Sequence, residues 1–211
     1  MPNRRRREEG PVSDYPVKVT YAEDEGQNRL WGIPLLGLIV RTILCIPQAI
    51  VLAILVLVLY VIVLLNWIPI LFNGRQAGWI YSIAGGLFRL SLRVSAYILL
   101  ITGRYPPFGL GGEHTVDVTL GESEAQNRLW GIPIVGVMIR AILLIPHLIV
   151  LTLLGIVVGI LALFTWVPVL LTGRTADWVV RWVGGFYRWS FRVYAYAFLL
   201  TGRYPPFSLD D

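Results

Sequence analysis

The sequence predicts an all-α integral membrane protein built as a tandem two-fold repeat. Three observations support this fold class. The chain of 211 residues is 56% hydrophobic and only 15% charged, which is too apolar for an ordinary soluble domain. The uncharged stretch Gln48–Asn66 and its counterpart His147–Thr165 have about the length that a bilayer core requires. Finally, the second half of the chain repeats the first.

The repeat is the strongest signal in the sequence. The segment Gln27–Pro34, QNRLWGIP, returns 99 positions later as Gln126–Pro133, and Thr102–Phe108, TGRYPPF, returns as Thr201–Phe207. Roughly half of the aligned positions are identical, which is strong evidence for two copies of one structural unit. The offset predicts a basic polar tail at 1–15, a first unit at 16–110, a linker at 111–114 and a second unit at 115–211.

Each unit begins with a short strand and an interrupted apolar segment. The alternating stretches at residues 17–21 and 116–120 predict the strands. The following stretch Ile33–Ile46 carries Arg41 and is stopped by Pro47. At about 14 residues it is short for a span, which predicts an interfacial or re-entrant helix.

Two transmembrane helices are expected to complete each unit. The long apolar helix comes first, and a Trp-x-Pro break and a Gly-Arg turn lead to the second helix, near Trp79–Ile101 in the first unit. A pseudo-twofold along the membrane normal would then pair the two strands antiparallel, with Lys18 near Asp117. The predicted unit is therefore a short strand, an interfacial or re-entrant helix and two transmembrane helices.

Charge predicts the topology. Two spans per unit keep equivalent loops on one side, and the loops expected on the opposite side hold only Arg75 and Arg174. The positive-inside rule places both termini and the linker in the cytoplasm. We expect no cleavable signal, because the first apolar run starts only near Ile33.

The second helix of each unit carries two arginines, Arg89 and Arg93 or Arg188 and Arg192. A central arginine costs about +2.5 to +3.5 kcal/mol on an insertion scale, so such a helix needs a partner, a headgroup or an interfacial position. Every acid lies in a polar segment, so no deep counter-ion is expected. Three interpretations stay open: snorkelling to headgroups, a working anion or lipid-headgroup site, and pairing with a partner subunit. The candidate lipid- or anion-binding residues are Arg41, Arg89, Arg93, Arg140, Arg188 and Arg192.

The remaining polar features predict no chemistry. The apolar part has no acid–base pair, nucleophile constellation or metal cluster, so we expect no enzyme, no metal and no cofactor. His147 stands alone where the first unit has Gln48, which favours a polar helix start over a metal ligand. A net charge of +5 suits an anionic membrane surface better than nucleic acid. Small residues predict close helix packing at Gly85, Gly86, Gly155, Gly159, Gly184 and Gly185.

Five motifs of the second unit carry a resemblance to a known family. They are Asn127–Leu129, Ile145–His147, Thr172–Arg174, Arg188–Tyr196 and Arg203–Leu209. In this order they resemble the bacterial membrane family described as domain of unknown function 4389, and the resemblance covers both units. It implies a bacterial inner-membrane protein and supplies no activity. The first unit departs from the motifs at Gln48, Leu90 and Gly109.

These observations predict a non-enzymatic, multi-pass inner-membrane protein. We expect an accessory or scaffold subunit that holds anionic lipid or a membrane partner, either alone or within a larger membrane complex. One alternative is an anion or lipid transporter or channel that uses the arginine faces. Another is a wedge protein whose hairpins enter one leaflet without crossing it. Flux into proteoliposomes and liposome tubulation separate these alternatives.

Overall fold

The computed structural model describes residues 15–21, 26–34, 36–132 and 134–210. Most of the predicted polar tail and the acids Glu23–Glu25 lie outside these residues. The first unit contains β1 (Val17–Tyr21), a 3₁₀ turn (Arg29–Gly32), α1 (Leu36–Leu44), α2 (Ile46–Leu65), α3 (Trp67–Asn73) and α4 (Gly78–Ile98). The second contains β2 (Val116–Leu120), a 3₁₀ turn (Arg128–Gly131), α5 (Val135–Ala162), α6 (Trp166–Thr172) and α7 (Asp177–Ala197). The described fold is mostly helical, with a two-stranded sheet and the two predicted repeated units.

The two units differ where the sequence predicts a short separate helix. In the first unit α1 and α2 are interrupted at Cys45, one residue before α2 begins. The stop predicted at Pro47 lies two residues past this interruption, and Pro47 itself is in the first turn of α2. In the second unit α5 runs without a break through Pro146, the repeat equivalent of Pro47, so a stop there does not occur. A proline removes one helical hydrogen bond, and a long apolar helix tolerates that loss when the bonds on both sides continue.

The strands reveal a pseudo-twofold axis. β1 and β2 pair antiparallel with Val19 opposite Val118, two residues that occupy equivalent positions of the repeat. The predicted antiparallel pairing is therefore confirmed. The predicted neighbour of Lys18 is wrong: Lys18 lies opposite Thr119, because a twofold centred on this valine pair matches each residue with the mirrored position. The valines of both strands point into the core.

Helices α4 and α7 lie side by side beneath the sheet and run in opposite directions. The carbonyl oxygen of Leu100, just after α4, accepts a hydrogen bond from the Thr175 hydroxyl, just before α7, at 2.5 Å. Near the middle of the pair, the rings of Phe88 and Phe191 stack with their centroids 5.1 Å apart. Each helix therefore begins where the other ends.

Helices α2 and α5 form a third layer, on the side of α4 and α7 that faces away from the sheet. Near its start, α5 reaches the end of α7 through Arg140, which donates to the Tyr196 carbonyl at 2.7 Å. Just past its end, Leu163 lines a small cavity together with Leu38. Leu38 is the repeat equivalent of Val137 at the start of α5. Because positions related by a twofold lie at the same height along its axis, α5 begins and ends at one height and lies across the axis.

The units interlock at their ends. The backbone N–H of Gln126 donates to the Gly74 carbonyl at 2.7 Å, and Gln27 donates to Gly173 in the equivalent contact at 2.6 Å. The sequence predicts the Gly74–Arg75 loop and the Gln126 segment on opposite sides of a membrane, whereas this hydrogen bond makes them neighbours. The physical reason is α3, which redirects the chain after α2 and docks it on the 3₁₀ turn of the other unit.

Candidate functional site

The outward sides of α2 and α5 are both apolar, and together they are here called the apolar face. Ten of its aliphatic side chains are each at least 53% exposed: Ile50, Ile54, Leu57, Val61, Leu65, Ile142, Ile149, Leu153, Ile156 and Ile160. The stretches Ile46–Val63 and Val135–Thr172 are long and apolar enough to cross a membrane, and only 17% of the most apolar part of each is buried. A core helix of a soluble protein would be mostly buried.

The charged, amide and imidazole side chains of this layer are buried, whereas the Thr152 hydroxyl is exposed. The one arginine and the one histidine of Val135–Thr172, Arg140 and His147, are 1% and 0% exposed. Gln48 and Asn66, at the two ends of α2, are also fully buried. The polarity of this layer is thus inverted relative to a soluble protein, with polar groups inside and aliphatic groups outside.

Arg41 and Arg140 form the centres of two equivalent clusters, here called the arginine boxes. In the first box, Arg41 Nη1 donates to the carbonyls of Tyr97 at 2.6 Å and Thr102 at 2.8 Å, and Nη2 donates to Gln27 Oε1 at 2.9 Å. The guanidinium carbon also lies 4.4 Å from the Tyr97 ring centroid and 4.9 Å from that of Trp31. The first arginine box therefore ties α1 to the chain that follows α4.

The second arginine box repeats this geometry. Arg140 donates to the carbonyls of Tyr196 at 2.7 Å and Thr201 at 2.8 Å and to Gln126 Oε1 at 3.0 Å, with its guanidinium 4.9 Å from the Trp130 ring. Gln126 in turn donates to the Leu199 carbonyl at 2.8 Å. Helix C-termini carry partial negative charge on their unpaired carbonyls, so a cation is favourable at these positions.

Both boxes hold a charge without an acid. Neither Arg41 nor Arg140 forms an ion pair among the residues that the structure describes. Burial lowers the pKa of Arg41 to about 10, opposed by the nearby Tyr97 and Cys45, and the group stays charged at neutral pH. Neutral oxygens and aromatic rings must therefore offset the desolvation of each guanidinium.

Arg89 and Arg93 of α4 contact the sheet and the linker. Arg93 is fully buried and donates to the carbonyls of Gly111 at 2.7 Å and Gly112 at 2.6 Å. Its Nη2 also lies 3.4 Å from Asp117 Oδ1, and Arg89 Nε lies 3.7 Å from the same oxygen. The counter-ion is a partly exposed acid of the other unit rather than a deep one, and the pairing of β2 with α4 brings it to these arginines.

Arg188 and Arg192 of α7 occupy the equivalent positions beneath β1. Arg192 is 1% exposed and donates to the Asp210 carbonyl at 2.8 Å, while Arg188 Nε donates to the Val19 carbonyl at 3.4 Å. At the repeat position of Asp117 the first unit has Lys18. All six arginines of the candidate set thus have partners within the chain, and the lipid-binding role stays a prediction.

The candidate packing glycines behave differently in the inner and outer helices. A Cβ added to those of α4 or α7 would contact residues outside the helices: Leu120 for Gly85, Leu110 for Gly86, Tyr21 for Gly184 and Leu209 for Gly185. A Cβ added at Gly86 would lie 2.6 Å from Leu110. In α5, a Cβ at Gly155 would make ordinary contact with Phe186 of α7, whereas Gly159 has no such neighbour within 4 Å among the described residues.

His147 belongs to an aromatic cluster. Its Nδ1 accepts a hydrogen bond from Trp189 Nε1 at 3.0 Å, and its ring stacks on Phe207 with centroids 3.8 Å apart. It lies in the interior of α5, so the interpretation as a polar helix start is wrong. The cause is the continuous path of α5 through Pro146, which places the next residue in mid-helix.

A shallow pocket, here called the rim pocket, opens beside the second arginine box. Its walls include Glu124, Gln126, Asn127, Trp130 and Arg203. Arg203 Nη2 and Glu124 Oε1 form an ion pair at 2.8 Å, with both side chains partly exposed. The sequence pointed to neither the rim pocket nor the glutamines of the arginine boxes. Gln27 and Arg41 recur together as Gln126 and Arg140, and this recurrence could have indicated the role of the two glutamines.

Comparison with known proteins identifies the family. The model of the family described as Domain of unknown function (DUF4389) matches the chain twice, at residues 36–109 and 135–208. The matches begin at α1 and α5, and each extends past the last helix of its unit. No curated protein and no solved structure matches the chain. Since the two matches cover more than half of the sequence, the chain belongs to the DUF4389 family and contains two tandem copies of its domain.

Proposed function

We propose that this protein is a non-enzymatic membrane protein that inserts its apolar face into one leaflet and holds its sheet in water. The observation that carries the proposal is the opposition of the two faces. The apolar face exposes aliphatic side chains and no charge, whereas the far side of the sheet exposes Lys18, Thr20 and Thr119. Such a molecule fits a membrane surface best with its twofold axis along the membrane normal.

The direction of α5 supports an in-plane orientation. This helix has 28 residues, about 42 Å at 1.5 Å per residue, and it begins and ends at the same height along the axis. Standing it upright would turn the sheet sideways and place Lys18 and Thr119 against acyl chains. It would also invert one unit relative to the other, although their loop motifs are alike.

The size of the apolar face is sufficient for stable membrane association. Burying one aliphatic side chain completely contributes about 1.5–3 kcal/mol, so ten half-exposed ones contribute roughly 10 kcal/mol. The arginine boxes add to this arrangement, because they hold α1 and the start of α5 against the inner pair. A rigid slab in one leaflet expands that leaflet and favours curvature, which is the wedge function.

The other candidate functions have less support. The transporter hypothesis needs arginines that are available to a substrate, and the guanidinium groups of the candidate set bond to carbonyls of this chain. An accessory or scaffold role on the bacterial inner membrane is compatible with a leaflet-bound slab, since the sheet would stay accessible to a partner. We therefore propose that the basic activity of the protein is to act as a membrane wedge, and that the wedge serves as a scaffold for a partner.

Cysteine labelling tests the orientation. Single cysteines replace Asn73, the last residue of α3, and Glu113, in the linker, both of which are exposed. The background variant is Cys45→Leu, because leucine occupies the equivalent position 144 and Cys45 is buried. In sealed vesicles, an impermeant reagent should reach both sites from the same side. Labelling from opposite sides would contradict the proposal, and tubulation of liposomes by the labelled protein would support its wedge function.

A further inference from the structure

We propose that the rim pocket binds the headgroup of a phospholipid that carries both a phosphodiester and a primary ammonium group, as phosphatidylethanolamine does. This inference rests on the proposed function, because it requires the apolar face to lie in a leaflet. The rim pocket lies where such a headgroup would be. Leu129, which precedes the pocket residue Trp130, and Ile134, which precedes α5, are 65% and 72% exposed.

The phosphate half of the ligand is attracted by buried charge. Arg140 lies behind the wall of the pocket, bonded to Gln126 and stacked on Trp130, with no carboxylate partner among the described residues. A cation in a poorly solvated position attracts an anion at the nearest accessible surface more strongly than it would in water. Arg203, at the mouth of the pocket, offers a second guanidinium to the same phosphodiester.

The ammonium half of the ligand is selected by Glu124. Its carboxylate lines the rim pocket and is paired with Arg203 at 2.8 Å. A phosphodiester that binds Arg203 weakens the ion pair between Arg203 and Glu124. The ammonium group of the same headgroup can then pair with the Glu124 carboxylate. A glycerol headgroup has no such cation, and a trimethylammonium group has no N–H to donate. Trp130 suits this depth, since its indole is apolar with one polar edge.

The test measures lipid adducts by native mass spectrometry. The full chain is released from nanodiscs containing equal parts of phosphatidylethanolamine, phosphatidylglycerol and phosphatidylcholine. We expect the wild-type protein to retain phosphatidylethanolamine preferentially. Glu124→Gln should lower the ratio of phosphatidylethanolamine to phosphatidylglycerol adducts about fivefold. Glu122→Gln is the matched control, because Glu122 is an exposed acid of the same segment and does not line the rim pocket.

Three results would overturn the inference. Equal retention of the three lipids by the wild-type protein is the first, and identical adduct ratios for the Glu124 and Glu122 variants is the second. The third is preference for phosphatidylglycerol. Flotation with vesicles separates this failure from that of the proposed function. A chain that floats with every vesicle type but shows no headgroup preference contradicts the headgroup site alone, whereas a chain that floats with none contradicts both.

Discussion

The sequence predicts both the outer helices α2 and α5 and the inner helices α4 and α7 as spans, yet the two pairs distribute their polar side chains in opposite ways. The outer helices are mostly uncovered, and they bury Gln48, Arg140 and His147. The inner helices are covered by the sheet, and their arginines bond to strand and linker carbonyls. In this chain the distribution of side chains around the helix, rather than the average hydropathy, distinguishes an exposed apolar face from a buried core.

The arginines show the contrast most clearly. Arg93 is as completely buried as its neighbours Leu90 and Leu92. A guanidinium can be buried among leucines because backbone carbonyls of a loop or helix end accept its protons. Hydropathy scales assign each such arginine the free-energy cost of a side chain that faces lipid. On these scales the inner helices therefore appear to need a lipid headgroup, although backbone carbonyls of the chain already bind the guanidinium groups.

The largest expected effect is at the second arginine box. Arg140→Met should lower the free energy of unfolding by about 3 kcal/mol or more, because the carbonyls of Tyr196 and Thr201 and the Gln126 amide oxygen lose their donor inside the protein. Thermal unfolding in detergent, followed by circular dichroism, measures the loss. The control is Ile142→Met in the same helix, where the side chain is 61% exposed. Equal stability of the two variants would contradict the role of the box.

A charge on the apolar face should have the next largest effect, on membrane binding instead of folding. Ile156→Lys should fold normally in detergent, because Ile156 is 57% exposed, and should weaken binding to vesicles about tenfold or more. Thr119→Lys, on the far side of the sheet, should leave vesicle binding unchanged or strengthen it. Co-sedimentation measures both. Equal effects of the two lysines on vesicle binding would contradict the proposed difference between the apolar face and the sheet.

The interlock between units should show a moderate effect. Gly131→Ala places a Cβ 2.6 Å from the backbone nitrogen of Leu71 at the end of the outer layer. The resulting shift should cost about 1–3 kcal/mol of unfolding free energy. Gly78→Ala is the control, since a Cβ there meets nothing within 4 Å among the described residues. Urea unfolding in detergent measures the free energy of unfolding of both variants. A Gly131→Ala protein as stable as the control would rule out close docking of α3 on the 3₁₀ turn that contains Gly131.

The smallest effect concerns His114 in the linker above the inner helices. Burial, followed by the charges of Arg93 and Arg104, lowers its pKa, and its Nδ1 accepts a hydrogen bond from the Val116 N–H. The fold therefore favours the neutral ring, so stability should be constant above the unfolded pKa of about 6.5 and should fall as the pH drops below it. Melting temperatures of the wild type and His114→Gln at about pH 7 and pH 5 test this. The fall in melting temperature between the two pH values should be smaller in His114→Gln, and an equal fall in both proteins would refute the prediction.

The sequence predicted the features that local pattern or repetition determines. The repeat, both strands, their antiparallel pairing and the long apolar helix all follow from periodicity and the offset between copies. α2 begins at Ile46 and ends at Leu65, close to the predicted stretch. These elements need only near neighbours in the chain to be recognised.

The missed features depend on contacts between distant segments. The arginine boxes use carbonyls 56 and 61 positions away from the arginine, and every residue type carries a carbonyl. The docking of α3 on the other unit likewise leaves only a Trp-x-Pro break in the sequence. Without these contacts, both inner helices were interpreted as spans. The rim pocket was missed for the same reason, because its ion pair joins Glu124 near the start of the second unit to Arg203 near its end.

The depth of α5 in a bilayer distinguishes an in-plane helix from a spanning one. Spin labels at Ile142, Ile149, Ile156 and Ile160 occupy exposed positions over 18 residues, about 27 Å along the helix. In vesicles, the in-plane account predicts that all four labels report nearly the same depth within one leaflet. A graded profile, with the end labels near opposite interfaces and the middle labels near the bilayer centre, would show a spanning helix and contradict the account.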